Sequence, residues 1–252
     1  MLIMLIPKIK AGLCHFILSV LVFSGVTLIL LYFWYPEPHF SVSGGWQGLK
    51  IIAGVDLILG PLLTTIIFDL KKPKKELVTD ISLIVLVQIS ALVWGVYTIY
   101  QQRPVALVFW DDGFLSVPAI ALRQQNIDID NLRQFGDTFP VLVYGKQPRQ
   151  KPEMEEMLNR IKLDKLPPHH QMALYRPLNL HFLDIYNSQV NIRKIMSNNA
   201  TMKAELLPIL SEEGKRVDDY QYYSLSSKYY NAILLFNRGG QLMNHIIVPR
   251  KN

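Results

Sequence analysis

Asp56 stands in the middle of an apolar run, Leu49 to Leu70, that reads LKIIAGVDLILGPLLTTIIFDL. A carboxylate at such a position costs about 3 kcal/mol to insert, and so flags a function or a buried partner. Two facing aspartates that share a proton would give an intramembrane peptidase. The second would have to be Asp69 or Asp80, and both lie near the basic loop, away from the depth of Asp56. The glycine-flanked second motif of such an enzyme is missing as well. The plainer expectations are two. Asp56 pairs with Gln88 or His15 inside a helix bundle or sits closer to the outer surface than the run suggests, or it meets a polar group on another membrane protein. Gly60-Pro61 reads as a kink and a packing point, because proline removes a backbone hydrogen bond and small residues allow close approach.

Elsewhere the chemistry-bearing residue types have structural explanations. His169-His170 follows two prolines and lacks the spacing of zinc ligands, so a solvated turn is expected. Glu153, Glu155 and Glu156 suit a helix start, where negative charge meets the helix dipole. Asp111-Asp112 and Asp218-Asp219 sit beside turns, and Gly239-Gly240 is hairpin geometry, not a phosphate loop. The one cysteine, Cys14, lies in the first apolar run, so the polar half has neither disulfide nor thiolate chemistry. No Ser-His-Asp order, Walker sequence or dinucleotide fingerprint is present. The residues assemble no active site, and no cofactor and no metal are expected.

The elements that must carry these residues divide sharply. Half of the 252 residues are hydrophobic, and they are far denser before Tyr100 than after it. A membrane part followed by one soluble domain is the natural reading. The net charge of +6 divides as +2 for residues 1–100 and +4 for the rest, whose basic residues are interleaved with acids, so no nucleic-acid footprint is expected. Three spans are expected, at residues 11–35, 49–70 and 81–100, each long enough for a hydrocarbon core of about 30 Å. All three must be helices, since lipid cannot satisfy open backbone amides. Asp80 or Thr79 is placed to cap the third. The first run lacks the short core and small-residue cleavage site of a signal peptide, so it reads as an uncleaved anchor.

Short loops set the direction. Lys8 and Lys10 precede the first span, and Lys71, Lys72, Lys74 and Lys75 lie in a basic loop at residues 71–80. The loop at residues 36–48 has no Lys or Arg, only Glu37 and His39. By the positive-inside rule, residues 1–10 and the lysine loop are cytoplasmic, and the loop at 36–48 and residues 101–252 are outside. In a bacterium this means an inner-membrane protein with a periplasmic domain.

The polar domain reads as a small α+β unit. A hairpin is expected in VALVFW-DDG-FLSVPAIAL, with Asp-Gly as the turn pair. A short helix follows near Asp130 to Phe135, a strand at Phe139 to Tyr144, and a helix from Pro152 to about Lys165 whose apolar face is Met154, Met157, Leu158 and Ile161. Helical periodicity returns at Leu180, Leu183, Tyr186, Val190, Ile192 and Ile195, and again from Met202 to Leu210. YNAILLFN and QLMNHIIVP around Arg238-Gly239-Gly240 form a final hairpin.

A set of motifs carries a family resemblance: Asp56 with Gly60-Pro61-Leu62-Leu63-Thr64, Phe68-Asp69 and the basic loop, then Asp80, Gln88 and Ala91-Leu92, and Arg103-Pro104-Val105 with Val108-Phe109. In this order, over about residues 45–120, the chain resembles the type IV pilin accessory proteins. The resemblance implies a non-enzymatic role in assembly or surface display of the type IV pilus. Its implied partner is the major pilin, with the lipid bilayer as solvent, and Asp56 and Gln88 as the intramembrane contacts. Arg103-Pro104 is then the family-like motif beside the membrane. Two other classes stand against this: an intramembrane or pilin-modifying enzyme, and a membrane-anchored ligand sensor. The enzyme lacks a catalytic pair, and the sensor lacks a cytoplasmic output module.

Overall fold

The computed structural model describes residues 2–35, 39–212 and 214–248. Glu37 of the first loop and Pro249 of the last expected hairpin lie outside the described residues. The chain forms two compact units, one of residues 1–40 and 44–101, the other of residues 41–43 and 102–252.

Among the described residues, the first unit contains three helices long and apolar enough to cross a membrane, Leu5–Trp34, Gly45–Ile67 and Lys74–Gln102. All differ at their ends from the expected spans. The first is helical from Leu2 and runs through Pro7. Leu30–Trp34 closes it as a π-helical turn. The second begins four residues before Leu49, because Gly44 takes φ 105° and turns the chain into it. It ends before Leu70, where Phe68 becomes extended. The third starts directly after Pro73, whose carbonyl accepts from Leu77 N–H at 3.1 Å. Lys74, Lys75 and Asp80 therefore stand on this helix and not in a loop. Thr79 does not cap it either; its hydroxyl donates back to the Lys75 carbonyl.

Different forces hold the two ends of this unit. At one end Tyr35, Phe40, Leu49, Ile52 and Ile99 are buried together, and Tyr35 donates to the Ile99 carbonyl at 2.9 Å. At the other end, Lys8 pairs with Asp69 at 3.8 Å and Lys72 with Asp80.

The second unit is built on a seven-stranded mixed sheet: β1 Pro104–Trp110, β2 Gly113–Pro118, β3 Val141–Gly145, β4 Tyr175–Pro177, β5 Gln221–Ser226, β6 Asn231–Phe236 and β7 Leu242–Val248. The spatial order is β4-β3-β1-β2-β5-β6-β7. β1 and β2 form the expected hairpin, but its turn is Asp111-Asp112, with φ 53° and 66°, while Gly113 pairs with Trp110 as the first residue of β2. Two consecutive positive φ angles match the right-handed twist of the strands. β6 and β7 form the second expected hairpin, and β5 pairs with β6 as a third that the pattern did not show.

Alternation along β1 sends side chains to both faces. Leu107 and Phe109 join Phe114, Tyr223, Leu225 and Phe236 on one face, under Leu178, Phe182 and Ile185. Ala106 and Val108 join Val141, Val143 and Leu122 on the other. Farther along, Tyr222, Ile233, Leu235 and Ile246 are covered by Met202, Leu206 and Leu210. Val42, from the connection between the first two long helices, is fully buried in the first of these cores. Its carbonyl accepts from the N–H groups of Tyr229 and Tyr230, at 3.2 and 3.4 Å.

Two helix expectations need correction. The stretch from Leu180 to Ile195 is three short pieces, Leu178–His181, a 3-10 helix Phe182–Ser188, and Ile192–Asn198 capped by the Asn191 side chain. The tighter 3-10 turn buries Phe182 and Ile185, three apart, and leaves Leu183 and Tyr186 exposed, as is Leu180 in the piece before it. The helix at Lys151–Leu163 forms, yet it buries none of its residues, so its apolar stripe is not core.

Candidate functional site

The second long helix is not regular. Residues Gly54–Leu59 form a π-helical segment, closed by a bond from Gly60 N–H to the Val55 carbonyl, five residues back. Pro61 follows at once. It has no N–H to give, and its ring would clash with the carbonyl four residues earlier in a tight α-turn. The wider π-turn relieves both conflicts, and such turns collect at functional sites.

Asp56 lies inside this segment and is only 5% exposed. Its Oδ2 is fully buried and has no hydrogen-bond partner among the described residues. The carboxyl group faces a cavity of about 200 Å³ that also receives His15 and Ser19 from the first helix and Gln88 from the third. Asp56, His15 and Gln88 thus line one cavity, but no hydrogen bond joins Asp56 to either of the others. His15 Nδ1 lies 2.6 Å from the hydroxyl of Thr64 instead. Gln88 is held against Gly60, where any added Cβ would overlap its amide. A side chain at position 60 would have to displace the end of Gln88 from this place.

Gly12 is crowded in the same way one level away, beside the Thr65 hydroxyl and the Pro61 carbonyl. The sequence does not single out Ser19, 7% exposed, as a cavity residue, nor Thr64, 4% exposed, as the partner of His15. For Ser19 a signal existed, since it stands one helical turn after His15 on the same face.

The other singled-out residues lie apart. Lys8 is tied to Asp69, while Lys10, Lys71, Lys74 and Lys75 are exposed. Arg103 leads into the sheet, its carbonyl accepting from Ala119 N–H at 2.9 Å, and Pro104 opens β1. His169-His170 is not a solvated turn. Both rings are half-buried and packed edge to face at 4.4 Å. Burial and the neighbouring His170 push His169 down to about 4, and burial lowers His170. Among the described residues no group of His, Cys, Asp and Glu has the makings of a metal site.

Comparison with known proteins places the chain in a family. The fimbrial assembly protein of serogroups C1 and C2 of Dichelobacter nodosus is 41% identical over 95 residues, which is 38% of this chain and 72% of that protein. The chain belongs to the family of fimbrial assembly proteins. The serogroup E1 and serogroup I proteins of the same organism are each 38% identical over 123 residues, 48% of either partner. The chain therefore spans about half the length of these two relatives. Membership in this family is consistent with the resemblance to type IV pilin accessory proteins. No family model matches the chain, and no solved structure matches it.

Proposed function

We propose that this protein is a non-enzymatic accessory factor of type IV pilus biogenesis. It sits in the bacterial inner membrane with its N-terminus in the cytoplasm and its sheet unit in the periplasm, and acts through contact with its cognate pilin. The observation that carries this reading is the 41% identity to a protein named for fimbrial assembly, over 72% of that protein's length.

Two features support the topology. The lysines cluster at Lys8 and Lys10 and around Pro73, at the ends expected to face the cytoplasm. Val42 packs within the sheet core, so the loop that carries it must be on the same side of the bilayer as the sheet. Three crossings satisfy that condition, whereas two or four would not. A pilin with an apolar helix in the bilayer and a globular head outside it would meet this chain at both levels. Asp56 and Gln88 supply the polar groups in the first level.

The test is a strain without the protein, complemented by the wild type. Loss of surface pili with pilin of unchanged mass, and recovery of pilin with the tagged protein from detergent extracts, is the expected result. Normal pili in the deletion strain would refute the reading. A shift in pilin mass would favour a modifying enzyme.

A further inference from the structure

Asp56 lies at the bottom of a cleft with two matching walls. The first helix contributes His15, Leu18, Ser19 and Val22. The third contributes Val85, Gln88, Ile89 and Leu92. Both sets follow the spacing i, i+3, i+4, i+7, the stripe that one helix shows to one neighbour. At 1.5 Å per residue each wall runs for about 11 Å, two turns of helix. The third helix approaches the backbones of the other two closely only at isolated points, whereas the first packs along the Gly60–Ile67 part of the second. The lips are apolar and open, with Leu18 61% and Ile89 54% exposed.

We infer that this cleft takes one membrane helix of a partner, which lies along the two stripes and points a single N–H or O–H donor at the Asp56 carboxyl group. The inference rests on the proposed bilayer placement and names the chemistry of the contact. An acyl chain suits the apolar lips but leaves the carboxylate oxygen without a donor, a costly state in a dry site. A trough lined by two helical stripes is how one helix seats another. The cleft, about 200 Å³, has room for one long side chain and not for a helix backbone, so the helix lies across the mouth.

The experiment uses the full chain in nanodiscs with synthetic apolar helices of ~20 residues. One probe has no polar residue, one a central Asn and one a central Lys; association is read by energy transfer to a label at the C-terminus. An interhelical hydrogen bond in a membrane is worth enough for the Asn or Lys helix to bind about tenfold tighter than the apolar one. Asp56→Leu should erase that difference. Ile89→Trp, on an exposed lip and leaving the carboxylate in place, should weaken all probes, so the result does not hinge on the fold of Asp56→Leu. Equal binding of the apolar helix to the wild type overturns the inference, as does discrimination that survives Asp56→Leu. Such a failure leaves the assembly role standing, because pilus display in the deletion strain is read separately. Tight binding with normal display in Asp56→Leu cells would assign the cleft to some other helix-bearing partner.

Discussion

Val42→Ala tests whether a residue from the first loop is part of the sheet unit. Val42 is fully buried among Leu107, Phe114, Tyr223 and Phe236. The substitution removes two methyl groups, at ~0.8 kcal/mol each for lost burial, and leaves a small void that rigid aromatic neighbours fill poorly. The total is about 2 kcal/mol, close to a 30-fold rise in the opened population. The assay is native-state proteolysis of the full chain in nanodiscs, followed through a C-terminal tag. When reclosing is faster than cleavage, the rate follows that population, so digestion should quicken by 10 to 100 times, about the span of ~1.4 to 2.7 kcal/mol. A rate within twofold of wild type would show that the loop contributes nothing to this core. It would also remove the same-side support for the topology.

Other outcomes are open to direct measurement. Burial holds His169, His170 and His245 below their ordinary value of 6.5. The unfolded chain then takes up protons first, so the sheet unit should lose stability as pH falls from about 6.5 towards 4, read as a lower thermal midpoint at pH 5 than at pH 7.5. Asp111→Val puts a β-branched residue at φ 53° and should cost about 1–2 kcal/mol by the same proteolysis assay. Arg193 and Asp218 pair at 2.6 Å but are both mostly exposed, so Asp218→Asn should change stability by less than about 1 kcal/mol. In a Cys14→Ser background, a cysteine at Ser188 should react with an impermeant maleimide in intact spheroplasts. One at Lys75 should react only after lysis.

The three long helices were legible because uninterrupted hydropathy needs no partner to reveal it. Their ends were less so. The helix bounds at Leu2 and at Lys74 fall among lysines and a proline, where composition reads as loop but backbone geometry at Pro7 and Pro73 still permits helix. In the sheet unit, β1, β2, β6 and β7 declared themselves through dense β-branched and aromatic runs bounded by turn residues. β4 has only three residues. β5, QYYSLS, lacks aliphatic alternation, and its burial comes from tyrosines that pack only once the sheet exists. Leu180, Leu183 and Tyr186 gave a helical period, yet the buried residues are Phe182 and Ile185, because the local turn is tighter than the period assumed. Asp56 and Gln88 could be marked from sequence as polar groups in apolar runs. That they share one cleft, with a bare carboxylate oxygen, depends on how three helices pack.

The π-turn at Gly54–Leu59 carries one residue more than an α-helix of the same rise would hold. Each residue advances an α-helix by about 100°, so the extra one sets the angular phase between the two halves of the helix. As built, the half before it presents Asp56 to the cleft, while the half after it presents Gly60 to Gln88 and Thr64 to His15. Loss of a single residue from this turn would delete no contact group, yet it would rotate one half by more than a quarter turn. Either the carboxylate would swing away from the cleft or Gly60 and Thr64 would leave their partners. A gap of one position here acts as a change of aim.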